Sequence, residues 1–84
     1  MSTNDHVAAA LGQIIRDTAG DKGMTITELA EKSGVHRVSI QRYIKGDREA
    51  RLAELSRIAD ALGVDAGEMV DRAIERARLD AARS

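Results

Sequence analysis

Seven glycines, at positions 12, 20, 23, 34, 46, 63 and 67, punctuate an 84-residue chain that contains no proline and no long β-branched run. Apolar residues between them recur at helical rather than alternating spacing, so the chain is expected to fold as five short helices without strands. Phe and Trp are absent and Tyr43 is the single aromatic residue, which leaves Leu, Ile, Val and Ala to build the core. A chain of this size buries roughly 60% of its unfolded surface, enough for one modest core. Residues 1–84 are therefore read as a single domain.

Segment by segment, the first helix is placed at about Asp5 to Thr18, with Val7, Leu11, Ile14, Ile15 and Thr18 on one face and Gly20 to Gly23 closing it. Thr25 and Glu28 have the spacing of a capping box, in which hydroxyl and carboxylate satisfy first-turn amides, and open a second helix that ends at Lys32. Ser33, Gly34 and Val35 form a tight turn, and a third helix runs from about His36 to Lys45 and stops at Gly46. Leu52, Leu55, Ile58, Ala59 and Leu62 mark a fourth helix ended by Gly63. Asp65 and Glu68 make a second capping box, opening a fifth helix of about residues 66–82. Short frayed polar ends are expected at both termini.

Charge is unevenly placed. Residues 34–51 hold Arg37, Arg42, Lys45, Arg48 and Arg51 against Asp47 and Glu49, a local +3 in a chain whose net charge is −1. That asymmetry points to an anionic partner facing this segment, or to a solvated charged face. At 100° per residue, Arg37, Gln41, Lys45, Val38 and Arg42 fall within an arc of about 140° on the third helix, while Ser39, Tyr43, Ile40 and Ile44 take the opposite arc. Tyr43 is thereby assigned to the core, its hydroxyl at the edge beside water or a polar partner. Arg and Gln present paired hydrogen-bond geometry suited to guanine and adenine edges, and an exposed Val meets a thymine methyl. A helix of about ten residues, preceded by a tight turn and another helix over about residues 25–45, has the form of a helix-turn-helix that enters a major groove.

The stretch "MTITELAEKSGVHRVSIQRYIKGDREARLAELSRIADALGVDAGEM" resembles the phage repressor and Cro-like helix-turn-helix family, also called the xenobiotic-response-element type. Leu29-Ala30, Gly34-Val35, Ile40, Gly46, Leu55, Ile58-Ala59 and Leu62-Gly63 carry the likeness, which spans about residues 11–70. It implies an all-α, compact five-helix, lambda-repressor-like DNA-binding domain acting as a homodimer on a palindromic operator. Carried over by position, it implies base reading by Arg37, Val38, Gln41 and Arg42, and phosphate contact by Lys45, Arg48, Arg51 and Thr27, with His36 a further candidate whose imidazole reaches a phosphate or simply starts the helix. Three positions depart from the family pattern: Ile26 replaces the usual Gln, His36 the usual Ser or Thr, and Ala19 with Ile44 replace an Arg–Glu pair. The last two are expected to share one apolar cluster, since exchanging both charges together leaves neither unpaired.

On the fifth helix Met69, Ala73, Ala77, Val70, Ala81 and Ile74 share an arc, with surface pairs expected at Glu68–Arg72, Arg76–Asp80 and Glu75–Arg78. Its distal half extends beyond the family core and is expected to lack a surface to bury against. Ile74, Ala77, Leu79 and Ala81 are the dimerisation candidates. A small phage or prophage repressor is the leading reading. An antitoxin that binds a toxin partner through this helix while regulating its own operon is the alternative.

Enzyme chemistry is not indicated. His6 and His36 stand far apart with no Cys and no acidic cluster at ligand spacing, so no metal site and no cofactor is expected, and Ser33, Ser39 and Ser56 have no His–acid partners. The longest apolar runs are only a few residues and "STND" follows Met1, so neither a membrane span nor a signal peptide is expected. Lack of Cys fits a reducing cytoplasm, and the resemblance implies that of a prokaryotic or phage-infected cell.

Overall fold

A computed structural model describes residues 3–83 and shows five helices in chain order: α1 (Thr3–Asp21), α2 (Ile26–Ser33), α3 (Arg37–Lys45), α4 (Leu52–Leu62) and α5 (Ala66–Arg83). No strand occurs among the described residues. Of the polar ends expected to fray, Met1, Ser2 and Ser84 lie outside those residues, whereas Thr3–Asp5 and Arg83 are helical.

The two long helices, α1 and α5, form the most extensive pair, and α3 crosses α1 on another side. α2 packs on α3 and α4, so the helix-turn-helix is gripped between the long pair and α4. Ile14, Ile15, Leu29, Ile40, Tyr43, Ile58, Leu62 and Met69 are the largest fully buried side chains. Each contributes about 1.5–3 kcal/mol by leaving water, and every helix supplies at least one.

Local signals set the boundaries. Thr25 Oγ1 accepts from the Glu28 N–H at 3.1 Å and Glu28 Oε1 accepts from the Thr25 N–H at 3.1 Å, completing the expected box. These two bonds to Thr25 hold the Glu28 carboxyl below its ordinary pKa, the backbone bond more than the side-chain one. In the turn, Gly34 takes φ 74°, a conformation that costs a residue with a Cβ, and the buried Ser33 Oγ accepts from the Val35 N–H at 3.1 Å. At α5 Asp65 Oδ2 accepts from the Glu68 N–H at 3.0 Å.

Several boundaries differ from the sequence expectation. Gly20 lies inside α1, which continues to Asp21 before Gly23, at φ 65°, turns the chain, while Gly12 and Gly67 fall inside helices as the expected bounds have them. Gly12 has a different role. A Cβ built there lies 2.0 Å from the Tyr43 carbonyl oxygen and 2.8 and 2.9 Å from the Ile44 carbonyl oxygen and Cα. α1 and α3 thus touch backbone to backbone, and only a residue without a side chain permits it. At the end of α3, Gly46 sits against Ala9 of α1 in the same crossing.

Leu52 begins α4 but is 79% exposed, so it marks the helix without joining the core. Ala77 also departs from expectation. It is fully buried within the chain, since α1 provides the surface that the distal half of α5 was expected to lack. Arg76 turns across to Asp17 of α1 at 3.9 Å, and Arg78 pairs with Glu75 at 4.0 Å as the spacing foretold.

Candidate nucleic-acid interface

α3 is held by its inner face. Ile40 and Tyr43 are buried, Ile44 is half-buried against the core to which Ala19 also belongs, and the helix begins at the His36 cap and ends at Gly46. His36 stands at the N-cap, its Nδ1 accepting from the Val38 N–H at a long 3.4 Å. With Nδ1 accepting, the neutral ring carries its proton on Nε2, which leaves a donor on this exposed side chain.

The outer face carries Arg37, Val38, Arg42 and Lys45, all exposed, with Val38 46% exposed. Arg48 and Arg51 in the following loop and Thr27 on the first turn of α2 are exposed as well. None of these five cations is in an ion pair among the described residues. Their charges are therefore open to an external anion.

Gln41 is placed differently from its neighbours. It is half-buried and lines an open groove of about 370 Å³ with Arg16, Ile26, Ile44 and Lys45. Two of the departures from the family pattern, Ile26 and Ile44, meet in this groove. Arg16 there adds an exposed cation that spacing on α3 alone did not reveal.

Tyr43 completes the inner face. Its ring is buried and its hydroxyl donates to Glu54 Oε1 of α4, which satisfies the expectation of a polar partner. Burial, followed by this bond to a carboxylate, raises the phenol pKa. Glu54 escaped the sequence reading. The only signal for it was an acid in the first turn of the helix that follows the basic loop.

No group of three or more His, Cys, Asp or Glu side chains is placed to hold a metal ion among the described residues, and no described helix is long and apolar enough to cross a membrane. The exposed cationic flank of α3 matches a nucleic-acid groove in charge and width.

Comparison with known proteins accords with this geometry. A helix-turn-helix family model matches residues 15–69, ending early in α5. Two crystal structures of the clp gene regulator ClgR from Corynebacterium glutamicum are similar to the chain. One aligns with TM-score 0.83 at 31% identity over 92% of this chain and 82% of that one, and the other with TM-score 0.73 at 31% identity over 80% and 87%. No curated protein gives a match.

Proposed function

Since the chain belongs to the phage repressor and Cro-like helix-turn-helix family and is a DNA-binding transcriptional regulator, we propose that it is a repressor that binds a palindromic operator as a homodimer. It acts in the cytoplasm of a prokaryotic or phage-infected cell, and occupancy of the operator occludes a promoter. The observation that carries this reading is the two-sided α3: Ile40 and Tyr43 sealed beneath, Arg37, Val38, Arg42 and Lys45 open above with no internal ion pair.

In the proposed complex Arg37, Val38 and Arg42 read base edges, and Gln41 reaches them from the rim of its groove. Lys45, Arg48, Arg51, Thr27 and the free nitrogen of His36 meet phosphates and fix the register. One such helix makes few contacts, and pairing two of them on half-sites about 34 Å apart supplies the affinity.

For the dimer surface Ala77 is withdrawn because its own chain buries it. Ile74, half-buried, and Ala81, exposed, flank the buried stripe of α5, whereas Leu79, 52% exposed, projects about 150° away from them. The antitoxin reading gains no specific support, because α1 already occupies the apolar face of α5 that a toxin would need.

The test is selection of bound duplexes from a random library, coupled to sedimentation of the free protein. Recovery of an inverted repeat with half-sites one helical turn apart, and a dimer weakened by Ile74→Asp, is the expected result. A single unrepeated half-site with a monomeric protein rejects the homodimer, and no enriched motif rejects sequence-specific binding.

A further inference from the structure

Tyr43 is the only aromatic side chain in the protein, and its hydroxyl crosses from α3 to α4 beneath the loop that carries Arg48 and Arg51. Resting on the DNA-binding reading above, we infer that Tyr43 is a positioning residue for phosphate capture: its phenol holds the Glu54 carboxylate inward, away from the cations that would otherwise pair with it.

Glu54 stands three residues after Arg51, at the spacing where helical side chains meet, and Arg48 is close enough for its charge to act on the phenol oxygen. A carboxylate free in this place would compete with phosphate for both arginines and would repel the approaching strand. Instead it is half-buried and accepts the Tyr43 proton, while Arg48 and Arg51 stay exposed and without ion pairs. The Arg51 backbone N–H faces the same phenol oxygen and opposes the rise in its pKa, which places the hydroxyl between the acid and the loop end. At its other end the loop is tied by the Gly46 and Asp47 amides, bonded to the Tyr43 and Arg42 carbonyls, and at the α4 end the Arg51 carbonyl accepts from the Leu55 N–H. A Phe at position 43 would fill the core equally well. The hydroxyl serves the acid and the loop.

The experiment compares the parent, Tyr43→Phe, Glu54→Asp and Tyr43→Phe/Glu54→Gln, with Arg48→Ala and Arg42→Ala as references. Each is titrated with a duplex of random sequence and with a selected duplex over a range of salt concentrations. Glu54→Asp leaves Tyr43 in place but shortens the acid out of reach of the phenol, so it remains informative if Tyr43→Phe fails to fold. Both single changes are expected to reduce the slope of log affinity against log salt by about 0.9 for each phosphate that is no longer neutralised, one or two in all, equally on both duplexes and with base preference unchanged. Neutralising the acid in Tyr43→Phe/Glu54→Gln is expected to return the slope toward that of the parent. A buried ring acting only in packing would change melting temperature but neither the slope nor its rescue. Parent-like slopes in Tyr43→Phe and Glu54→Asp, together with a lowered slope in Arg48→Ala, overturn the inference and leave DNA binding intact. Unchanged slopes in both Arg48→Ala and Arg42→Ala overturn the DNA-binding reading itself.

Discussion

Replacing Gly12 by Ala adds one methyl group at the crossing of α1 and α3, where the new Cβ would stand 2.0 Å from the Tyr43 carbonyl oxygen and under 3.0 Å from two backbone atoms of Ile44. No side-chain rotation relieves these contacts, because all three belong to the α3 backbone. To restore an ordinary separation near 3.4 Å the helices must part by more than 1 Å at that point. A gap of about 1 Å forfeits up to half of the dispersion attraction across it, and Ile14, Ile15, Ile40 and Tyr43 all pack in this region. Overpacking costs about 1–3 kcal/mol, and the rigidity of the neighbours puts this site at the upper end, while Ala regains about 1 kcal/mol of helix propensity. The net loss is about 2 kcal/mol, from a total of about 4–13 kcal/mol expected for a chain of this length. In thermal melting followed by circular dichroism this corresponds to a fall of about 8–16 °C. Gly20→Ala is the internal control, since it lies exposed in the same helix with nothing within 4 Å of its Cβ, and should melt at or slightly above the parent. If Gly12→Ala melted as high as Gly20→Ala, the close crossing that orients α3 would not exist as described.

Ile44→Glu is expected to cost only about 1–2 kcal/mol in urea unfolding, because the position is half-buried and Arg16 and Lys45 line the same groove; a loss above about 4 kcal/mol would show a far more enclosed site. Thr25→Ala removes one half of the α2 capping box and should lower stability by about 1 kcal/mol in the same assay, whereas an unchanged midpoint would deny the cap its role. The Tyr43 phenol, with a folded pKa raised by burial and by Glu54, contributes stability that is fully present below its unfolded pKa of about 10 and is lost as pH climbs through the folded value. With no other aromatic residue, the tyrosinate absorbance band reports this one group, and it should titrate above about pH 10 in step with loss of helicity; titration at the free-tyrosine value with the fold intact would contradict the buried hydroxyl.

Much of the helix-turn-helix was legible because its determinants are local. The Thr25–Glu28 box, the Gly34 turn and the two arcs of α3 follow from spacing alone, and each appears in the structure. What spacing did not disclose is tertiary. Spacing places Gly12 within the first helix without showing that α3 lies across it, and it gives Leu52 to the apolar positions of α4 without showing that the side chain stays 79% exposed. Ala77 was assigned to a partner subunit because periodicity gives a helix its apolar face but not the neighbour that covers it, and here α1 does so. Gln41 shares the outer arc with Arg37 yet is drawn into a groove floored by Ile26 and Ile44, a consequence of how α1, α2 and α3 converge. Glu54 is eleven residues from Tyr43, beyond the reach of any helical repeat.

The claim that the exposed flank of α3 reads bases is tested most directly by measuring, base pair by base pair across a selected operator, the binding of the parent, Arg37→Ala and Lys45→Ala. Arg37→Ala should relax discrimination at one base pair in each half-site by about 1–3 kcal/mol, while Lys45→Ala should weaken binding uniformly and lower the salt slope by about 1. Identical, position-independent losses in both variants would contradict it.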